Sequence, residues 1–190
     1  MAIVLASQST RRQELLQRIG VEDFKTLSLD IDESYPEGLS PEDTVRYIAK
    51  KKCDAAAALC APDDLIITAD TMVFLDNDRL GKPRDEEDAL RMLRELAGRG
   101  HTVCTGVSVR RGAQEERFAV STRVFFRPAT DDEIRAYIKT GEPMDKAGAY
   151  GVQSRGALFV ERIDGDFFNV MGLPVEQLGL VLARFGVKLL

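Results

Sequence analysis

The chain has little of what the commonest hydrolase and metal chemistries require. Its 190 residues include one histidine, His101. A Ser-His-Asp hydrolase would have to rest on that single ring, and metal binding would have to rely on carboxylates suited to a hard ion such as Mg²⁺ or Mn²⁺. The three cysteines, Cys53, Cys60 and Cys104, have neither metal-finger nor CxxC spacing. Their odd number does not suggest a disulfide framework, so reduced thiols in a cytoplasmic protein are the simpler expectation. At the N-terminus the only apolar run is Ala2–Ala6, too short for a signal peptide or a membrane span. With 26 basic against 31 acidic side chains the formal charge is −5, which lacks the basic footprint of a nucleic-acid binder. There is no GxxxxGK phosphate loop, no GxGxxG fingerprint, no HExxH and no GxSxG elbow. No repeat, low-complexity segment or long linker marks a boundary, so one domain over residues 1–190 is expected.

What is present is a core-forming composition, 44% hydrophobic, and one stretch with an unusual pattern. Leu65-Ile66-Ile67 reads as a buried strand that gives way abruptly to the polar Thr68-Ala69-Asp70-Thr71. A strand resumes over Met72–Leu75, Asp76-Asn77-Asp78 has turn chemistry, and a return from Arg79 ends at Gly81-Lys82-Pro83. A carboxylate at a strand end sits where ligands of open α/β sheets bind. The plainer account is a loop-capping aspartate and a solvated lysine.

Taken in order, Ala2–Ala6 reads as a first strand. Ser7-Gln8-Ser9 then leads into a helix with Leu15, Leu16 and Ile19 on one face and Gly20 just past its end. A strand, a small-polar turn and a helix N-terminus make an anion site on physical grounds. Arg11 and Arg12 oppose the helix dipole there unless an anion is bound, although Ser9 as an N-cap with two solvated arginines is equally simple. Phe24–Leu29 is a second strand and Asp30–Gly38 an acidic loop with Asp32, Glu33 and Glu37. Ser40, Pro41, Glu42 and Asp43 start a helix with Val45, Ile48, Ala49, Ala56 and Leu59 inward. Lys50, Lys51 and Lys52 point about 100° apart, so they cannot all face one ligand.

Arg84–Gly98 is an amphipathic helix with Ala89, Leu90, Met92, Leu93 and Leu96 inward. Thr102–Val109 and Arg117–Phe126 form a hairpin about Arg111-Gly112-Ala113. Thr130 with Glu133 is a capping box, and the glycine-rich 146–156 run is a loop. Leu158–Ile163 is a strand, a helix runs from Pro174 through Phe185, and Val187–Leu190 is a closing strand. His101 reads as a structural hydrogen-bonder at a strand start. The fold class is α/β, or mixed α+β, on a mixed sheet.

ITADTMVFLDNDRLGKP resembles the central signature of the Maf family of nucleoside triphosphate pyrophosphatases. LASQSTRRQELL near the start, GRGHTVCTGVSV at 98–109 and GEPMDKAGAYGVQSRGALFVERIDGDFFNVMGLP at 141–174 resemble further blocks of that family, in family order. The resemblance implies an elongated mixed sheet flanked by helices, with two lobes and a central nucleotide-binding cleft. It also implies hydrolysis of dTTP and UTP, or modified pyrimidine nucleotides, to the monophosphate and pyrophosphate with a divalent cation, Mg or Mn.

Carried onto this chain, Asp70 becomes the base or water-positioning group and also a metal ligand. Glu33 is the second metal carboxylate, and Lys52 and Lys82 neutralise the triphosphate. Ser7, Ser9, Arg11 and Arg12 contact phosphate or base, while Arg12, Thr71 and Gln153 set specificity. The chemistry agrees, because a glutamine amide can pair with the adjacent N–H and C=O of uracil or thymine. Cytosine's reversed pattern would leave buried groups unpaired. Ser154 and Arg155 follow Gln153 where relatives commonly have glycine, which touches the loop's reach. The competing readings are the same reaction on a methylated guanine or other nucleotide, and a nucleotide-binding regulator of cell division or septum formation. No nucleic-acid or membrane partner is expected, and relatives imply a homodimer.

Overall fold

The computed structural model describes residues 2–76 and 78–190. Strand β1 (Ile3–Leu5) lies between two parallel neighbours, β2 (Phe24–Thr26) and β3 (Leu65–Leu75), with Ile3 opposite both Phe24 and Leu65. Parallel neighbours need crossovers. These are helix α1 (Thr10–Arg18), capped by Ser9 and ending ahead of Gly20 at φ 93°, and α2 (Pro41–Ala57), capped by Ser40 with Pro41 in its first turn. Strand β4 (Asp78–Leu80) folds back antiparallel on the end of β3, pairing Leu80 with Val73. The expected turn at Asp76-Asn77-Asp78 includes Asn77, which lies outside the described residues.

Helix α3 (Glu86–Leu96), capped by Asp85, buries all five residues expected of it. Burying apolar side chains of this kind contributes roughly 1.5–3 kcal/mol for each large one. Next come β5 (Gly100–Arg111), β6 (Gln114–Phe126) and α4 (Asp131–Ile138), where Thr130 and Glu133 form the full capping box. Three short 3₁₀ turns follow, Glu142–Asp145, Ala147–Ala149 and Arg155–Phe159. Then come β7 (Val160–Asp164), the short helix α5 (Phe167–Met171) and α6 (Val175–Arg184). The seven strands form one mixed sheet in the order β2-β1-β3-β5-β6-β7, with β4 beside β3.

The chain divides into two compact units. The first takes the residues up to Asp70 with Thr105–Val120 and Gly172–Leu190, and the second takes Thr71–Cys104 and Ser121–Met171. In the first unit, α2 is seated by small side chains. Cys53 and Ala56 pack in one cluster with Ala6 of the chain after β1 and Ile66 of β3. At Gly106 of β5 the helix backbone comes so near that an added Cβ would lie 2.6 Å from the Arg46 nitrogen and nearer still to the Val45 carbonyl. In the second unit, His101, Phe126, Tyr150, Phe159 and Tyr137 form a chain of ring contacts with centroids 4.7–6.0 Å apart.

Three expectations are corrected, and one element goes beyond them. The polar 68–71 stretch does not interrupt the strand: β3 runs unbroken from Leu65 to Leu75 as an interior strand, and Asp70 is mid-strand rather than at its end. The Thr68 hydroxyl donates to the Ala49 carbonyl of α2 at 2.7 Å, so the polar groups are satisfied without ending the ladder. Leu59 lies beyond the end of α2 and is exposed. Val187–Leu190 forms no strand, because the Val187 N–H is taken by the Leu182 carbonyl in the C-terminal wrap of α6. Helix α5, only five residues long, was not anticipated.

Candidate active site

The three consecutive lysines of α2 go to three different places. Lys50 pairs with Asp54 one turn on, and Lys51 donates to the Ser34 carbonyl at 3.0 Å. Lys52 turns toward the sheet, where its Nζ lies 2.7 Å from Asp70 Oδ1 and 2.9 Å from Glu33 Oε1. Two carboxylates from distant parts of the sequence are thus gathered around one ammonium, with α2 supplying the ammonium and β3 holding Asp70. Lys52 and Asp70 are largely shielded, whereas half of the Glu33 side chain meets solvent.

Asp70 is 7% exposed, and its second oxygen, Oδ2, is buried with no hydrogen-bond partner. A buried carboxylate oxygen without a partner costs on the order of 1–3 kcal/mol or more. The ammonium occupies only one of its two oxygens. A water, a proton donor or a hard cation would satisfy the other. Among the described residues no group of three or more His, Cys, Asp or Glu side chains is assembled to hold a metal. A complete protein cage is therefore not what this site offers. Two carboxylates do fit Mg²⁺ or Mn²⁺ held mainly by water and substrate phosphates, the usual arrangement for Mg²⁺ on nucleotides.

Around the start of α1, the Ser9 hydroxyl accepts from the Arg12 N–H, which makes Ser9 an N-cap. Ser7 Oγ accepts from the Ser9 N–H at 3.2 Å and from Arg12 Nη1 at 3.3 Å. Arg12 Nε donates to the Gly172 carbonyl at 2.8 Å. The guanidinium is therefore fixed rather than solvated. Burial holds its pKa below the usual arginine value, the negative charge of Asp70 and Glu33 acts upward, and Arg11 acts downward. That electrostatic coupling ties the Ser7–Arg12 corner to the carboxylate pair.

Thr71, Lys82 and Gln153 belong to the second unit. Lys82 is exposed on a segment pinned at both sides: the Gly81 carbonyl accepts from the Gly148 N–H at 3.0 Å, and the Arg84 N–H donates to Asp88 at 3.1 Å. Asp88 itself is buried among donors. Hydrogen bonds from Arg91 first, then from the Arg84 backbone, bring its pKa to about 2. The Gly81–Gly148 bond also joins the Lys82 segment to the loop that carries Gln153, whose side chain is exposed. Asp88 was not singled out from sequence, where it reads as one more acid in a helix's first turn.

His101 has the structural place expected of it, buried with Nε2 2.8 Å from the Tyr150 hydroxyl. Burial, and secondarily Arg123, lower its pKa to about 4.

The sequence model of the family described as "Maf-like protein" matches residues 2–185. A protein named dTTP/UTP pyrophosphatase from Bacillus velezensis is 46% identical over 186 residues, which cover 98% of this chain and 97% of that one. One of the same name from Dictyoglomus turgidum is 47% identical over 191 residues, 99% of this chain and 98% of its own. Among solved structures, a HAM1 protein from Coxiella burnetii aligns with a TM-score of 0.56 at 14% identity, covering 97% of this chain and 99% of that one. The Staphylococcus aureus Ham1 protein aligns with a TM-score of 0.54 at the same identity. At that identity the likeness concerns the fold alone.

Proposed function

The chain belongs to the Maf family, and from that premise we propose that it hydrolyses dTTP and UTP between the α- and β-phosphates, giving the nucleoside monophosphate and pyrophosphate. The observation that carries this reading is the Lys52 ammonium between Asp70 and Glu33, with Asp70 Oδ2 left open beside it. A binding module has no need of a buried carboxylate with an unsatisfied oxygen. A hydrolase does, because water must be oriented and relieved of a proton as it attacks phosphorus.

In this reading Asp70 orients the attacking water and accepts its proton at Oδ2. Lys52 and Lys82 offset the negative charge of the phosphates and of the leaving pyrophosphate. Glu33 and Asp70 would hold the divalent cation, which supplies charge neutralisation at the phosphate oxygens and a more acidic water. Ser7, Ser9 and Arg11 would contact phosphate. Gln153 would read the imide edge of the base, with Arg12 and Thr71 completing recognition. The thymine methyl is worth only about 1–3 kcal/mol in a fitted pocket, so both pyrimidines are accepted.

Among the described residues no helix is long and apolar enough to cross a membrane. A cytoplasmic location, a homodimer and a nucleoside triphosphate substrate, with no nucleic-acid or membrane partner, complete the proposal. The test is a panel of nucleoside triphosphates with Mg²⁺ or Mn²⁺, with products resolved over time. UMP and pyrophosphate are expected from UTP. UDP and orthophosphate as first products would defeat the assignment, and a methylated guanine nucleotide turned over far faster than UTP would move the substrate.

A further inference from the structure

The loop that carries Gln153 is organised by one carboxylate that the sequence does not bring to notice. Glu142 opens the first 3₁₀ turn, immediately after Gly141 at φ 75°. Its Oε1 accepts from the Ser154 hydroxyl at 2.6 Å, the Tyr137 hydroxyl at 2.8 Å and the Gly156 N–H at 3.2 Å. Its Oε2 accepts from the Arg155 N–H at 3.2 Å. The Tyr137 oxygen in turn accepts from the Gly151 N–H at 3.2 Å. Lys146 fixes the turn from below, donating to the Glu142 carbonyl and to Asp145, each at 2.7 Å. The closeness is steric as well: a Cβ on Gly156 would lie 2.7 Å from the Gly151 carbonyl oxygen and 2.8 Å from the Tyr137 hydroxyl.

Every residue from 151 to 156 that flanks Gln153 closely, save Val152, is thus tied to Glu142 or Tyr137, while the Gln153 side chain takes no part and stays exposed. Four donors converging on one carboxylate favour its ionised form, which is purely an acceptor. Burial acts to raise its pKa, but the hydrogen bonds from Ser154, Tyr137, Gly156 and Arg155 outweigh that and leave it lowered. Ser154 makes the shortest of these bonds, a contact that a glycine at that position could not supply.

We propose that Glu142 is the positioning residue of the base-reading loop: by clamping Gly151 through Tyr137 and Ser154–Gly156 directly, it fixes how Gln153 presents its amide and so governs the choice among bases without touching the nucleotide. The proposal rests on the reading of Gln153 given above. Discrimination by hydrogen bonds depends on donors and acceptors held in place. A loop held by a charged, fourfold acceptor meets that need.

The test uses the whole protein with Glu142→Gln, which keeps the shape and turns one acceptor oxygen into a donor facing N–H and O–H groups. Turnover of UTP and CTP is measured, together with the affinities for UMP and CMP, which need no turnover. Hydrogen exchange at the Arg155 and Gly156 amides is followed in parallel. The UTP-over-CTP ratio in kcat/KM should fall roughly tenfold, mainly through KM for UTP, with kcat within about twofold. The UMP-over-CMP affinity ratio should fall alongside it, and both amides should exchange faster. In a Gln153→Ala background the same change should add little further loss of preference. Ser154→Ala, which removes one donor from an exposed position, should give a smaller loss of the same kind and serves if Glu142→Gln does not fold.

Faster exchange with an unchanged ratio, or with equal losses for both nucleotides, would overturn the positioning role and leave only a structural one. So would losses from Glu142→Gln and Gln153→Ala that simply add. If Gln153→Ala leaves the ratio intact while Glu142→Gln lowers it, base reading by Gln153 fails, whereas control of base choice by the clamped loop stands.

Discussion

Asp70 has one oxygen satisfied by Lys52 and one open, and that asymmetry separates holding from reacting. Asp70→Asn keeps the shape of the side chain but removes its charge and its basicity. Turnover of UTP should fall by about 10²–10⁴-fold, while binding of UMP, measured by calorimetry, survives. Wild-type-like turnover would remove Asp70 from the mechanism. Loss of metal affinity in step with activity would make ligation its principal role. His101 gives a prediction of a different kind. Its pKa is about 4 in the folded protein because burial disfavours the charged ring, against 6.5 for an ordinary histidine. Above pH 6.5 the ring is neutral in both folded and unfolded chains and contributes no pH dependence. Between pH 6.5 and 4 only the unfolded chain takes up the proton, so stability is lost as pH falls, by up to about 3 kcal/mol. Urea midpoints should therefore drop over that interval in the wild type, and drop distinctly less in His101→Gln. Parallel curves for the two proteins would show that other groups carry the acid sensitivity.

Helix α2 is the element on which the lysine proposed for catalysis depends, and its seat against β5 admits no side chain at Gly106. Gly106→Ala must push the Val45–Arg46 backbone aside, so we expect a loss of about 1–3 kcal/mol or more. UTP turnover should fall too, because Lys52 moves with its helix. Gly179, within α6, has open space around it, and Gly179→Ala should raise stability by up to about 1 kcal/mol with activity unchanged. Thermal melts and UTP assays on the pair test both statements; equal, small effects would mean that α2 is not seated as described.

What the sequence disclosed about the elements follows the range of the forces involved. The caps at Ser40, Asp85 and Thr130 join residues three apart, and the first and last were read directly from their neighbours. The stripe of α3 repeats within its own eleven residues. Thr68 and Asp70 looked like the end of a strand because their partners, Ala49 and Lys52, lie 19 and 18 residues away. Nothing local marks that pairing. Likewise helix geometry says only that the three lysines cannot all face one ligand; the family resemblance singles out Lys52 and makes Glu33 a metal carboxylate, and neither foretells that the two pair. Glu142 escaped notice because its four donors lie at Tyr137 and beyond Gly151, on either side of it in sequence.

At the scale of the whole molecule, neither compact unit is a continuous stretch of chain, and the long strands β3, β5 and β6 each contribute to both. Parallel pairing of β1 with β3 brings together residues more than sixty apart, so closure of the first unit waits on distant contacts. The molecule carries a formal charge of −5 and is proposed to act on an anion, so local cations rather than overall charge must attract substrate. Lys52 has a further consequence here. The site carries its own internal counter-ion, a tethered cation that keeps Asp70 and Glu33 from repelling one another when no metal is there. Zinc fingers and many other small metallo-domains unfold when chelators strip the metal. This chain should separate the two demands: excess EDTA should abolish UTP hydrolysis yet shift the thermal midpoint by no more than about 2 °C. In Lys52→Met the two carboxylates lose their tether, and added Mg²⁺ should then raise the midpoint well beyond its effect on the wild type. The lysine would thus let folding proceed in the cell without waiting for the ion that turnover is proposed to need.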